Sequence, residues 1–292
     1  MKVGLTIHPH KPQALALGRK VLSLIGDRAE VVLSDSARPA DPARPSAPLE
    51  RIASDVLLAI GGDGTFLYTL RRSAVPLLPI NAGTVGVLAE VDARRAGELE
   101  GCVERLLAGR FSLEERMKLA GTIGPTALPD VANEYVVHAA RVGAMGTFEI
   151  AFDRRVVGRI RADGLIVATP TGSTAYSLSS LGPIVDPAVE GIVLTSIAPF
   201  RAESRSLVFD PLGSVTVRSV DDPGGAVVLV DGQDQFPLGD GVPFTVHRSP
   251  RRATLVRFGV RFLERLRGKR ILPWNEEFAE GGGSLADLPP PT

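Results

Sequence analysis

Cysteine is nearly absent from this 292-residue chain, and the single Cys102 excludes an internal disulfide framework and fits a reducing compartment. An excess of one charge is absent too, since 33 Lys and Arg offset 33 Asp and Glu to a formal net charge of zero. That balance excludes a generic binder of nucleic acid or acidic membrane, whose attraction is mainly electrostatic, and leaves room for a local basic site around a phosphate. Long hydrophobic runs are missing: no stretch approaches the roughly 20 residues of a membrane span. The opening Val3-Gly4-Leu5-Thr6-Ile7 is too short for a signal-peptide core and runs into His8 and Pro9. These absences predict a cytoplasmic chain with neither nucleic acid nor membrane as partner.

What is present alternates. Short apolar runs at Val3–Ile7, Glu30–Leu33, Asp55–Ile60 and Leu77–Ile80 read as strands, with helical spacing at Ala14–Ile25, from Phe66 to Arg72, and at Arg94–Ala108. Strand and helix in this rhythm predict a doubly wound, Rossmann-like α/β domain over 1–112. The Pro-, Ala- and Ser-rich Asp35–Pro48 reads as a mobile surface loop. From Leu113 strands dominate, at Lys118–Ile123, Glu134–Ala140, Thr147–Phe152, Gly164–Ala168, Gly191–Ile197, Ser214–Val220, Ala226–Val230, Pro243–Val246 and Ala253–Phe258. They predict a mainly β second domain over 113–258. A C-terminal segment over 259–278, helical from Gly259 to Lys269, is expected to return to the first domain, and 279–292 reads as a disordered tail.

The run Val56-Leu57-Leu58-Ala59-Ile60 ends abruptly in Gly61-Gly62-Asp63-Gly64-Thr65. Buried parallel strands deliver ligands to their carboxyl ends, and glycines let a ligand approach the backbone. Asp63 is therefore a turn former or a catalytic carboxylate at a phosphate site. A second strand-to-turn junction is Thr169-Pro170-Thr171-Gly172-Ser173-Thr174-Ala175-Tyr176, where Ser173 or Thr174 is expected to cap a helix over Ala175–Leu178. It reads equally as a capped helix or as a polar ligand site at a helix start.

Taken together and in order, these segments resemble the ATP- or polyphosphate-dependent NAD kinase family over roughly residues 1–270. The resemblance is carried by Gly61–Thr65, Asn81-Ala82-Gly83-Thr84-Val85-Gly86-Val87-Leu88, Asn133-Glu134, Asp163-Gly164, Thr169–Tyr176 with Ser177–Val185, and Asp231-Gly232-Gln233. It implies transfer of a terminal phosphoryl group from ATP or polyphosphate to the 2′-hydroxyl of the adenosine ribose of NAD. It also implies Asp63 as general base, and Gly61, Gly62, Gly64 and Thr65 as donors to phosphate. Gly64, Asn133, Glu134, Asp163, Thr174, Ala175, Tyr176, Ser179 and Ala198 would, with Asp63, line the dinucleotide. The resemblance further implies Mg²⁺ or another divalent cation bound mainly through substrate phosphates, no protein metal site, and a homodimer or homotetramer with dinucleotide sites near the interface.

The chain departs from the family's pattern at three places. Val87 stands where relatives often carry an aromatic, so Phe66 or Phe200 is the candidate replacement. Ser180-Leu181-Gly182-Pro183 and Pro199-Phe200-Arg201-Ala202 also differ from the usual segments. Other polar residues read as ordinary: His8 and His10 as a loop, Arg71 and Arg72 as solvated helix residues, and Asp231, Gln233, Asp234 and Asp240 as hairpin polar residues. Two rival functions share the glycine turn, a lipid kinase of the diacylglycerol or sphingoid class and a non-catalytic NAD-sensing module. The first would need an apolar lipid groove, and the second has no use for Asp63.

Overall fold

The computed structural model describes residues 1–271 except 84, 85, 142, 202, 203, 223 and 270. The tail predicted over 279–292 lies outside the described residues. Strands β1 (Lys2–Ile7), β2 (Glu30–Ser34), β3 (Ser46–Ala47), β4 (Val56–Gly61), β5 (Leu77–Asn81) and β6 (Val91–Asp92) alternate with helices α1 (Pro12–Ile25), α2 (Asp63–Arg72) and α3 (Glu98–Leu107). All six strands pair in parallel, five in the order β5-β4-β1-β2-β3 and β6 on the other side of β5. The chain winds outward from β1 through β2 and β3, then returns to β1's other side as β4. The order therefore reverses between β1 and β4, the position at which open α/β sheets hold ligands beyond their carboxyl ends.

Side-chain alternation along β4 explains its burial on both faces. Leu58 and Ile60 join Val21 and Ile25 of α1 and Val103 and Leu106 of α3, while Leu57 and Ala59 meet Phe66, Leu67 and Leu70 of α2. The segment expected to be a mobile loop, 35–48, contains a 3₁₀ turn at Arg38–Ala40 and the edge strand β3, which extends the parallel sheet beside β2. Proline lacks the N–H that an interior strand must donate, so two paired residues flanked by Pro45 and Pro48 suit an edge. Helix α3 starts at Glu98 rather than Arg94, because Gly97 at φ 78° interrupts the chain before it.

The second half comprises β7 (Ser112–Ile123), β8 (Thr126–Ala127), β9 (Glu134–Ala139), β10 (Gly146–Phe152), β11 (Arg155–Ala162), β12 (Gly164–Ala168), the short helix α4 (Tyr176–Ser179), β13 (Ile192–Ile197), β14 (Leu207–Phe209), β15 (Ser214–Ser219), β16 (Ala226–Val230), β17 (Asp234–Leu238) and β18 (Phe244–Arg257). Antiparallel strands in the order β14-β13-β12-β9-β16-β17 form a six-stranded sheet. It packs across Tyr135, Leu165 and Val228 onto Phe148, Val215 and Phe244 of the larger sheet. Tyr135 and Phe244 meet edge to face at 5.3 Å between centroids.

β18 is one 14-residue strand where two shorter ones were expected, and the register shifts between Arg248 and Arg252 within it. It pairs with β15 and β7 of the β half and, at Leu255 opposite Leu77, with β5 of the α/β half. One twelve-stranded sheet thus runs through both halves, and Met1–Gly259 forms one compact unit. The second unit begins at Val260 and contains α5 (Phe262–Gly268), whose first turn is closed by the Arg261 amide donating to Glu264 Oε2 at 3.1 Å.

Candidate active site

Gly61 ends β4 with no room for a side chain: a Cβ there would lie 2.3 Å from Thr65 Oγ1. The chain turns straight into α2, which begins at Asp63, three residues before the expected start. The Thr65 and Phe66 amides close on the Gly62 carbonyl, and no side chain caps the helix. Gly64 is exposed, and nothing would meet a Cβ added there. The positive end of the α2 dipole and an uncapped backbone thus open at the switch point, an arrangement suited to phosphate.

Lys11, which sequence reasoning passed over, brings a cation to this turn: a Cβ on Gly62 or on Gly83 would lie 4.0 Å from its Nζ. The signal was a lysine just past the carboxyl end of the first strand. Beside it, the His8 imidazole is held below its usual range by partial burial and by the charges of Lys11 and His10. His8 and His10 form a loop, as expected, with the His10 amide donating to His8 Nδ1 at 3.2 Å.

Asp63 points at the segment after β5. Its Oδ2 accepts the Val87 amide at 2.9 Å and its Oδ1 the Leu88 amide at 3.1 Å. Two backbone donors fix the carboxylate, while each oxygen keeps a lone pair for another donor. Phe66 is fully buried in the core and offers no stacking face for the missing aromatic at Val87, whereas Phe200 is 66% exposed.

Asn133 and Glu134 stand at the start of β9, where the ends of β12 and β16 adjoin it: Glu134 pairs with Ala168 and Tyr135 with Val230. The turn after β12 locks onto this point. The Thr169 amide donates to the Asn133 carbonyl at 2.8 Å, and Thr169 Oγ1 donates to the Ala132 carbonyl at 2.6 Å. A Cβ on Gly172 would lie 2.2 Å from the Asn133 oxygen, so only glycine allows the approach. Ser173 does not cap a helix as expected. It sits in a 3₁₀ turn, where its hydroxyl donates to the Pro170 carbonyl and accepts the Val185 amide at 2.9 Å.

Asp231, expected to be a hairpin polar residue, is buried instead. Its carboxylate accepts the amides of Ala132, Asn133 and Glu134 at 3.0, 2.9 and 3.1 Å. Two residues on, Gln233 Nε2 donates to the Gly64 carbonyl at 3.0 Å. Arg71, expected on a solvated face, has a side chain only 4% exposed and grips Asp234 and Gln233 Oε1. The 231–234 turn therefore clasps the glycine turn to the Asn133–Glu134 recess. Residue type alone did not reveal this, because the same polar residues suit any hairpin.

Within the recess, Asn133 Oδ1 and Glu134 Oε2 are buried without a hydrogen-bond partner. Burial, helped by the nearby Asp231 charge, pushes the Glu134 carboxyl up to about 8. Buried polar atoms left unpaired cost free energy unless something pairs with them, so this pair marks a place for a polar ligand. Thr174 is buried and its hydroxyl donates to the Thr171 carbonyl at 3.1 Å, while Ala175 is half-buried and Tyr176 and Ser179 are exposed. Asp163 and Ala198 lie elsewhere. They flank the other end of β12, joined by the Asp163 amide donating to the Ile197 carbonyl at 3.0 Å, about 17 Å along the strand from Ala168.

A cavity of about 500 Å³ opens beside the glycine turn, over the carboxyl ends of β1 and β2. Thr6, His8, Ser36, Thr65, Tyr68 and Gln233 are among its lining residues. Arg72 lies over the Tyr68 ring at 3.8 Å. Among the described residues no group of three or more His, Cys, Asp or Glu is placed to hold a metal ion, and no helix is long and apolar enough to cross a membrane.

A phosphate turn clasped to a recess for polar groups, with a fixed carboxylate between strand ends, defines a nucleotide-dependent phosphotransferase. Residues 3–111 match the model of the ATP-NAD kinase N-terminal domain, and 132–258 that of the ATP-NAD kinase C-terminal domain. The chain is 39% identical to an NAD kinase of Symbiobacterium thermophilum over 92% of its length and 98% of that relative's. It is 42% identical to one of Methanopyrus kandleri over 76% of this chain and 79% of that one. Among solved structures, an NAD kinase from Archaeoglobus fulgidus in complex with ATP superposes with a TM-score of 0.75 at 26% identity, covering 93% of this chain and all of that one. Yeast NADH kinase complexed with NADH shares the fold, with a TM-score of 0.80 at 22% identity over 99% of this chain and 90% of that one. The chain belongs to the ATP-NAD kinase family, and it is an enzyme of that kind.

Proposed function

We propose that this enzyme moves the terminal phosphoryl group of ATP onto the 2′-hydroxyl of the adenosine ribose of NAD, with Asp63 as general base. The observation that carries this assignment of roles is the unpaired, buried Asn133 Oδ1 and Glu134 Oε2, clasped through Asp231 and Gln233 to the turn that bears Asp63. Vicinal ribose hydroxyls are donors of the kind these two oxygens lack. In the transfer, the acceptor hydroxyl gives its proton to an Asp63 oxygen as its own oxygen bonds to the γ-phosphorus. The bond from that phosphorus to the β,γ-bridging oxygen breaks, leaving ADP. Positioning and charge supply most of the rate in such reactions, and the α2 amino end and Lys11 supply charge on the donor side.

The nucleoside of the donor fits the cavity over β1 and β2, which lies within the size range of small-ligand pockets. A divalent cation such as Mg²⁺ would be held here mainly by donor phosphates and water, since among the described residues no group of three or more His, Cys, Asp or Glu is placed to hold a metal ion. When bound, the cation neutralises charge on the phosphates. Asp163 and Ala198, remote from Glu134 along β12, are read as contacts to a dinucleotide seated on a second copy, which makes a homo-oligomer the working form. Cytoplasmic residence is our reading from the cysteine content.

Purified protein supplied with NAD and ATP, other nucleotides or polyphosphate tests the proposal. Formation of NADP that Asp63→Asn slows by about 10²- to 10⁴-fold supports it, and absence of NADP with every donor overturns it.

A further inference from the structure

The peptide that aims Asp63 is itself held from behind. Arg257, at the end of β18, donates from Nη1 to the carbonyl of Leu88, the residue whose amide binds Asp63 Oδ1. The Arg257 side chain is only 5% exposed, and two carboxylates share it: Glu90, at 3.0 Å from Nη1, and Glu114 of β7, at Nε. Glu90 also accepts the Phe258 amide at 2.7 Å. Glu114 takes a second guanidinium, that of Arg116, at 3.0 Å. Arg116 in turn reaches Thr171 Oγ1 at 3.4 Å, in the turn whose Gly172 packs on Asn133. Burial opposes the Glu114 charge, and Arg257 and Arg116 outweigh it, holding the carboxyl below its usual range.

A row of half-buried and buried charges thus runs from the Asp63 support to the turn beside the acceptor recess. Desolvated charges are a costly way to stabilise a fold, and apolar residues of similar volume often do as well or better. What they supply is directional: a planar guanidinium with its donors in a fixed fork sets the angle and distance of whatever it binds. Misplacing a reacting group by about 1 Å can cost about 10²-fold in rate.

We infer that Arg257, Glu114 and Arg116 form a positioning relay that fixes the Val87–Leu88 peptide, and through it Asp63, at a set distance from the Thr171–Asn133 corner. The inference rests on Asp63 being the base. It assigns no contact with substrate to any of the three residues.

Steady-state kinetics of the full chain carrying Glu114→Gln, and separately Arg257→Lys, test the relay. Each is expected to lower kcat by about 10- to 100-fold. KM for NAD and for ATP should stay within about threefold, since neither recess is rebuilt. The deciding measurement is Glu114→Gln placed in an Asp63→Asn background. A relay acting through Asp63 costs little more once the carboxylate is gone, whereas a general loosening of the fold costs the same factor in both backgrounds. Equal losses in the two backgrounds, or an unchanged kcat in both single variants, would overturn the inference. An Asp63→Asn enzyme of undiminished kcat would instead remove the base assignment, and the relay with it. Melting temperatures of all variants separate lost activity from lost fold.

Discussion

The two faces of this site are built by opposite means. The donor face is made of backbone: Gly61 to Thr65 turn into an uncapped helix, Gly64 is exposed, and the charge comes from a dipole and one lysine. The acceptor face is made of side chains, Asn133 and Glu134, each buried and held at its amide by the remote Asp231. A backbone cradle accepts any phosphate of suitable shape, because amides read charge and geometry rather than identity. A recess of fixed side chains left with unpaired oxygens selects a ligand carrying donors at matching positions, and rejects one lacking them by a large factor. On the proposed assignment, selectivity would reside mainly on the acceptor side.

The sharpest way to break this contrast is Asp63→Asn, which sits between the faces. It should lower kcat by about 10²- to 10⁴-fold, the usual contribution of a positioned base, with KM for NAD little changed. Next is Asp231→Ala, which strips three amides of their acceptor. KM for NAD should rise by about tenfold or more while KM for ATP moves less, and urea unfolding should reveal a loss of about 1–3 kcal/mol. If both KM values rise together, the clasp serves the two faces alike and the contrast fails.

Glu134→Gln sharpens the comparison through pH. The folded protein holds the Glu134 carboxyl at about 8, above its ordinary value, so the fold favours the protonated form. The native state then binds more protons than the unfolded chain between the ordinary carboxylate range and about pH 8, and ligand-free stability falls as pH rises through that window. If ribose hydroxyls donate to the ionised form, as proposed, NAD binding should tighten from pH 6 to 9, by at most about tenfold per unit. Both trends should flatten in Glu134→Gln when melting temperature and calorimetric affinity are followed across pH. The smallest effect belongs to Tyr68→Ala in the donor cavity, where a rise of a few-fold in KM for ATP is expected with KM for NAD unchanged.

Much of this was legible before any coordinates. Short apolar runs located β1, β4, β5 and β12, because buried parallel and central strands carry a strong local signal. Edge strands did not: β11 reads Arg-Val-Val-Gly-Arg-Ile-Arg-Ala, and its alternation is diluted by arginines that face solvent. Asp63 and the Asn133-Glu134 pair were picked out as candidates by the family resemblance, in the order of their segments. The groups that hold them were not. Asp231, Gln233 and Arg71 look like surface residues until distant strands meet, and the burial of Arg257 follows from its place where β18 joins both halves.

That shared strand has a consequence for how the molecule can be taken apart. β5 carries β4 on one side and, on the other, β6 at Ile80 and Asn81 and a chain segment more than 170 residues later, at Leu255 opposite Leu77. The first hundred or so residues made alone would therefore leave the Leu77 end of that edge uncovered, open to pairing with other molecules. Modularity is present in the sequence but not in the polypeptide's assembly. During synthesis the early strands must wait for the last one, so a truncation before residue 258 would leave a kinase that never seals, not a smaller one.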